Sequence, residues 1–170
     1  MIPASRFVEL DKSIHERKSF DCGQKELNDF LHYFAAKHRK AGISKTMVLP
    51  SADIQSDICA FYTLSHTEIN RRTLSHSIAR KLPRYPVPVM LVAQLGVHKE
   101  AQGHGLGKVT LIRVLRHCYE INEHLPSYAV VVDAPDEKIQ RFYEQYGFEV
   151  LVTHNARTRL FLPMKIVAQL

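Results

Sequence analysis

A glycine-rich turn between an apolar run and a helical run is the feature that most restricts the fold of this chain. Residues 89–97 are almost all apolar and predict a buried strand. The turn at 102–107, Gln-Gly-His-Gly-Leu-Gly, follows, and apolar residues then recur at helical spacing from Leu111 to Cys118. Glycine lets a backbone approach a ligand closely, and the amides at a helix start attract negative charge. The sequence therefore predicts an anion-binding cradle.

Three kinds of phosphate cradle can be compared with this turn. A P-loop would need glycine where Gln102 stands and Ser or Thr where Val109 stands. A dinucleotide fingerprint would need glycine in place of Lys108. The turn resembles instead the Q/R-x-x-G-x-G/A pattern of GNAT-type N-acetyltransferases, which holds the pyrophosphate of acetyl-CoA. Gln102, Gly105 and Gly107 agree with each defined position of that pattern.

Size and composition favour one globular domain spanning residues 1–170, with 45% hydrophobic and 24% charged residues. No apolar run approaches the roughly 20 residues of a membrane span, and the N-terminus does not resemble a secretion signal. Cys22, Cys59 and Cys118 are far apart, which predicts free, mostly buried thiols in a reducing compartment. We therefore expect a cytoplasmic protein without membrane association.

The net charge of +6 is concentrated in basic clusters, which favour a polyanionic partner such as RNA. A solvated basic face is the alternative explanation. Ten histidines are present, but none has the spacing of a metal motif, so no metal site is expected. The clustered residues are Lys37, Arg39, Lys40 and Lys45, then Arg71 and Arg72, then Arg80, Lys81 and Arg84.

The order of predicted elements is that of a mixed α/β fold with strand–helix–strand units in its second half. A turn at 20–23 precedes a helix, which Asp21 or Cys22 caps and which ends near Gly42. The apolar stripe of this helix is Leu27, Phe30, Leu31 and Phe34. Further helices are predicted at 107–122 and from Pro135 to Gly147, with a short helix or loop at 71–81. Strands are predicted at 45–49, 58–67, 89–97, 128–133, 148–152 and 159–165.

A second motif, Phe-Tyr-Glu-Gln-Tyr-Gly-Phe at 142–148, looks like the closing F-Y-x-x-x-G-F motif of GNAT acetyltransferases. Other segments extend the resemblance to nearly the whole chain, at 20–31, 61–64, 86–89 and 160–163. Together they are similar to the GNAT toxins of type II toxin–antitoxin modules, the AtaT and TacT kind. The resemblance implies a GNAT fold: a mixed central sheet flanked by helices and splayed between the strands at about 89–97 and 128–133.

The same resemblance implies an activity and partners. Toxins of this kind acetylate the α-amine of an aminoacyl-tRNA and so block translation. They are usually homodimers, and a ribbon-helix-helix antitoxin holds them inactive. Two positions depart from many relatives, because Asp136 stands where Asn is frequent and Ile139 where a small residue is common.

Acetyl transfer requires a site that binds the cofactor, a hydrogen-bond donor to the oxyanion and a general acid that protonates the leaving thiolate. Amides of residues 104–108 would bind the pyrophosphate, and a bulge at Gly96 would turn nearby amides toward the thioester oxygen. Tyr143 is the candidate general acid, although it could instead only pack beneath the cofactor, as Phe142 is expected to do. The predicted cofactor residues are Leu95, Gly96, Val97, Gln102, Gly103, His104, Gly105, Leu106, Gly107, Lys108, Asp136 and Phe142.

No carboxylate stands out as a general base. Asp133, at the end of a predicted strand, could instead orient the substrate or cap the following helix. An α-amine has a reference pKa of about 7.7–8.0, against about 10.4 for lysine, so much of it is already uncharged at neutral pH. The absence of a general base therefore favours an α-amine as the acceptor. The candidate substrate contacts are Lys37, Arg39, Lys40, Arg80, Lys81, Arg84 and Asp133.

Three functions remain open from the sequence. The first is acetylation of aminoacyl-tRNA, and the second is acetylation of a small amine or a protein N-terminus. The third is a non-catalytic protein that binds coenzyme A, which Tyr143 and Gly96 argue against.

Overall fold

The computed structural model describes all 170 residues, and its seven strands form one mixed sheet in the order β1-β2-β3-β4-β5-β7-β6. The chain groups into two compact units, Met1–Ser65 with Ala93–Val114, and His66–Val92 with Leu115–Leu170. No helix combines the length and the apolar character needed to cross a lipid bilayer. The strands are β1 (Val8–Glu9), β2 (Lys45–Pro50), β3 (Ile58–Ile69), β4 (Val87–Val97), β5 (Ala129–Ala134), β6 (Glu149–His154) and β7 (Arg157–Pro163).

The helices follow the predicted order, with two short additions, a 3-10 turn at Lys99–Ala101 and a helix at Met164–Val167. The strand predicted at 159–165 is therefore wrong at its last two residues. The helix predicted after the turn at 20–23 is divided into α1, a π-helical turn and α2. A 3-10 turn and α3 occupy the segment predicted as a short helix or loop. The bounds are α1 (Lys25–Asp29), the π turn (Phe30–Phe34), α2 (Ala35–Lys40), α3 (His76–Ala79), α4 (Leu106–Asn122), α5 (Glu137–Glu144) and α6 (Met164–Val167), with 3-10 turns at Arg71–Thr73 and Lys99–Ala101.

In the first unit, antiparallel β1 and β2 continue into the β2–β3 ladder, and the α1–α2 segment packs its apolar side into the core. The predicted stripe is wrong at Phe34, which is 48% exposed, whereas Ala35 is fully buried. A π turn spaces its hydrogen bonds five residues apart, so the buried position after Leu31 moves one residue along the chain.

The cap predicted for α1 is also wrong. Gln24 is the N-cap residue and makes no side-chain cap bond. The Asp21 carboxylate instead accepts from the Gly23 amide at 2.9 Å and from Asn28 Nδ2 at 2.9 Å. Asp21 therefore shapes the loop before the helix.

The second unit is built on β5, whose Val130, Val131 and Val132 are fully buried. β5 pairs antiparallel with β7 over its whole length, and β7 pairs antiparallel with β6. The parallel ladder of β4 with β5 comprises Met90 to Val92 against Val130 to Val132. The ladder ends at Val92, whereas β4 continues to Val97.

Close packing against Phe61 leaves no room for a side chain at Gly96. A Cβ at this position would lie 2.9 Å from Cε1 of Phe61, a fully buried ring that packs edge-on against Phe20 at 5.2 Å. Its backbone is not in the left-handed region, so the requirement is for space.

We expect Gly96→Ala to lower the free energy of unfolding by about 1–3 kcal/mol, because the added methyl group must displace the Phe61 ring. Urea unfolding monitored by circular dichroism measures this change. In a Phe61→Leu background, where the ring edge is absent, the same substitution should cost less. Equal costs in the two backgrounds would contradict this explanation.

Candidate active site

A 3-10 turn at Lys99–Ala101 follows β4, and the glycine turn then leads into α4. Gly103 and Gly105 have φ angles of +84° and +80°, which L side chains rarely adopt. Gln102, Gly103, His104 and Gly105 are exposed, and a Cβ at either positive-φ glycine would meet open space. These glycines are therefore required by backbone conformation, and they leave the turn uncovered by side chains of its own.

The first turn of α4 presents unpaired backbone amides. The first bond of helical spacing runs from the Val109 amide to the Gly105 carbonyl, at 3.2 Å. Leu106, Gly107 and Lys108 precede Val109, so their amides have no acceptor within the helix. The positive end of the helix dipole lies at the same place. Unpaired amides therefore lie where the sequence predicts an anion cradle, and Lys108 is exposed in the same turn.

Gln102 holds this turn in place through its side chain. Its Nε2 donates to the carbonyl of Val97 at 2.8 Å and to the carbonyl of Cys22 at 3.0 Å. The ring Nδ1 of His104 lies 3.0 Å from the Gln102 carbonyl. Gln102 therefore ties the turn to the end of β4 and to the loop before α1, so its side-chain amide serves the shape of the cradle.

An ion pair strengthens the same connection. Lys99 Nζ lies 2.8 Å from Asp21 Oδ2, and the Lys99 amide donates to the Asp21 carbonyl at 2.8 Å. The hydrogen bond from Lys99 is the main cause that lowers the pKa of Asp21 below its usual range. Phe20 packs edge-on against the buried His98 ring at 5.6 Å. Residues 20–22 and 97–102 are therefore joined at several points.

The last residues of β4 contain one polar atom that the sequence did not single out. Leu95 is half-buried, whereas Gly96 and Val97 are buried. The Oε1 atom of Gln94 is buried and has no hydrogen-bond partner. A buried acceptor without a partner is costly, and such atoms are uncommon in folded proteins. Gln94 is therefore an unexplained polar group on this strand.

Tyr143 lies in the second unit, on α5. Its side chain is buried, with ring contacts to Phe142 at 5.3 Å and to Phe148 at 5.5 Å. Burial raises the pKa of Tyr143 above its usual value, and the Asp133 charge raises it further. The phenol therefore carries its proton at neutral pH.

Asp133 is held by a partner that sequence reasoning missed. It lies opposite Arg159 in the β5–β7 register, and the two side chains form a bidentate pair at 2.8 and 2.9 Å. The hydrogen bond to Asp133 is the main cause that raises the pKa of Arg159. The helix cap considered for Asp133 belongs to Asp136, whose Oδ1 accepts from the Ile139 amide at 2.9 Å. Only the strand register, which pairs residues distant in sequence, could have identified Arg159.

The basic residues divide between the two units. In the first unit Lys37, Arg39 and Lys40 are exposed on α2, and Arg39 Nε pairs with Glu9 at 2.6 Å. In the second unit Arg80, Lys81 and Arg84 are all exposed. Arg71 has a structural role there, because it donates to the Leu82 carbonyl at 2.9 Å. No three His, Cys, Asp or Glu side chains converge as metal ligands would.

Comparisons with known proteins agree with this geometry. Residues 86–168 match the acetyltransferase (GNAT) domain family. The chain is 27% identical over 135 residues to a tRNA-acetylating toxin of Mycobacterium tuberculosis, covering 79% of each chain. It is 26% identical over 176 residues to a probable toxin TacT of Sinorhizobium fredii, covering 98% of this chain and 96% of that protein.

Solved structures share the fold along almost the whole chain. A KacT mutant superposes with a TM-score of 0.89 at 28% identity, covering 96% of this chain and 97% of that one. AtaT complexed with acetyl-methionyl-tRNA gives 0.87 at 24% identity, with the same coverage. AtaT bound to acetyl-CoA and to the C-terminus of the antitoxin AtaR gives 0.81 at 21% identity, covering 96% of each chain. The predicted GNAT fold is confirmed.

We expect Gln102→Ala to lower the free energy of unfolding by about 1–3 kcal/mol, because the buried carbonyls of Val97 and Cys22 lose their donor. Urea unfolding measures the loss. Gln102→Glu should be equally harmful because a carboxylate cannot donate, whereas Gln102→Arg retains N–H donors and should recover part of the stability. A Glu variant as stable as the wild type would show that these bonds do not hold the turn.

Proposed function

We propose that this chain, whose residues 86–168 match the acetyltransferase (GNAT) domain, uses acetyl-CoA to acetylate the α-amine of an aminoacyl-tRNA and thereby blocks translation. Two relatives described as tRNA-acetylating toxins or TacT toxins support this choice of substrate. The observation that carries the proposal is the cradle formed by the positive-φ glycines and the unpaired amides at the start of α4.

The cradle fits the pyrophosphate of acetyl-CoA. The amides of Leu106, Gly107 and Lys108 are three aligned donors at the positive end of a helix, which favours bound phosphate. Gly103 and Gly105 leave the backbone uncovered, so phosphate oxygens can approach it closely. Gln102 contributes by fixing the turn, and exposed Lys108 adds positive charge.

Bound acetyl-CoA supplies a thioester that reacts with an amine by direct transfer. We assign the protonation of the departing thiolate to the Tyr143 phenol. The phenol of Tyr143 carries its proton at neutral pH, so it has a proton to give to the thiolate as the thiolate leaves. Backbone amides near Gly96 at the end of β4 are the proposed donors to the thioester oxygen.

Asp133, the carboxylate whose charge acts on Tyr143, is not free to serve as a base for the acceptor amine. Both oxygens of Asp133 accept hydrogen bonds from Arg159, so this carboxylate is already engaged with a cation. An α-amine, with a reference pKa of about 7.7–8.0, is roughly one-tenth uncharged at neutral pH, a fraction several hundredfold larger than for lysine, and can lose its proton to water. This favours an α-amino acceptor over a lysine side chain. Asp133 then serves to orient the substrate.

The exposed cations are the proposed contacts to tRNA phosphates. Lys37 and Lys40 on α2 lack carboxylate partners, whereas Arg39 is paired with Glu9 and has less charge to offer. Arg80, Lys81 and Arg84 supply a second set. We further propose that each chain is a single acetyltransferase domain and that two chains form a homodimer in the cytoplasm. A ribbon-helix-helix antitoxin would inhibit this dimer.

Incubation of the protein with radiolabelled acetyl-CoA and total charged tRNA tests this function. We expect acetylated aminoacyl-tRNA, identified by mass spectrometry after nuclease digestion. Tyr143→Phe should lower kcat by about 10²–10⁴-fold with little change in the Kd for acetyl-CoA, because only the proton donor is lost.

Tyr146→Phe is the matched control, since Tyr146 packs against Phe142 at 5.4 Å and should retain activity. Turnover confined to small amines or protein N-termini would overturn the choice of substrate. Binding of acetyl-CoA without any turnover would overturn the assignment as a working enzyme.

A further inference from the structure

A basic groove of about 760 Å³ runs beside α2 in the first unit. Five cations and two carboxylates line this α2 groove, together with the ring of Tyr33. The cations are Lys12, Arg17, Lys37, Arg39 and Lys40, and the carboxylates are Glu9 and Asp11.

The two carboxylates are already satisfied by other groups. Glu9 pairs with Arg39 Nε at 2.6 Å and with Lys45 Nζ at 3.5 Å. Asp11 Oδ1 accepts from the backbone amide and the hydroxyl of Ser13, at 2.8 and 2.6 Å. Neither carboxylate forms an ion pair with Lys37 or Lys40. The groove is an electropositive channel with lysines free to meet an anion.

Tyr33 adds a flat apolar surface to this channel. Its side chain is 52% exposed, because it lies on the π turn next to the residues that face the core. The edge-on ring of His32 lies 5.7 Å away, and His32 is itself fixed by a 2.8 Å bond to the Phe20 carbonyl. Tyr33 is thus an accessible aromatic ring beside free lysines.

We propose that the α2 groove binds unpaired nucleotides of the RNA substrate, with a base stacked on Tyr33 and phosphates on Lys37 and Lys40. This inference rests on the proposed function and specifies which part of the RNA the groove takes. Single-stranded RNA is recognised by aromatic stacking combined with backbone charge, whereas a duplex keeps its bases stacked on one another. An acidic peptide would pair with the lysines but would not need the exposed Tyr33 ring. The presence of both the lysines and the ring therefore favours RNA.

Fluorescence anisotropy with the full chain tests the proposal. One probe is a labelled RNA hairpin with an unpaired CCA tail, and the other is the same hairpin with a blunt end. The wild type should bind the tailed probe about tenfold more tightly. Tyr33→Ala should remove this preference, and Tyr33→Phe should keep it. Phe34→Ala is the matched control, because Phe34 is 48% exposed but does not line the groove.

Lys37→Gln and Lys40→Gln should each reduce the slope of log affinity against log salt by about 0.7 for the tailed probe. Equal affinity of the wild type for both probes, or a tail preference that survives Tyr33→Ala, would overturn the proposal. Lysine-dependent binding of polyglutamate without any tail preference would assign the groove to an acidic peptide instead. Calorimetry with acetyl-CoA distinguishes failure of the groove proposal from failure of the proposed function. Normal acetyl-CoA binding without a tail preference overturns the groove alone, whereas absent acetyl-CoA binding overturns the proposed function.

Discussion

Two hydrogen bonds from the amide group of Gln102 fix the turn on which the chemistry of the first unit depends. They join the turn to the carbonyl of Val97 at the end of β4 and to the carbonyl of Cys22 before α1. The Lys99–Asp21 ion pair connects the same segments at the surface. Because the end of β4 and the loop before α1 both hold the turn, the amides at the start of α4 are preorganised without any ligand.

The proposed anion binding and the proposed proton donation fall in different units. The first would rest on backbone amides and glycines of the first unit, which require few specific side chains. In the second unit Tyr143 is buried, and Arg159 engages Asp133. A site without a free carboxylate base suits an acceptor amine of low pKa, which loses its proton readily. The electrostatics of the second unit therefore agree with the choice of an aminoacyl α-amine.

Sequence alone predicted the features that arise from local patterns. Six of the seven strands, α4, α5 and the positive-φ glycines follow from periodicity and from backbone constraints within a few residues, whereas the two-residue β1 was not predicted. Contacts between distant residues were not predictable, as with Arg159 against Asp133 and Phe61 against Gly96. The π turn moved the buried position from Phe34 to Ala35, because helical spacing assumes an uninterrupted α-helix. The individual role of Gln102 was equally hidden, since a consensus position does not reveal which carbonyls its side chain meets.

Backbone amide chemical shifts test the central claim most directly. In ¹⁵N-labelled protein titrated with coenzyme A, the amide signals of Leu106, Gly107 and Lys108 should move together at one affinity. Pantetheine, which lacks the pyrophosphate, should leave them in place. Binding of coenzyme A without movement of these three signals would contradict the claim that the turn at 102–108 holds the pyrophosphate.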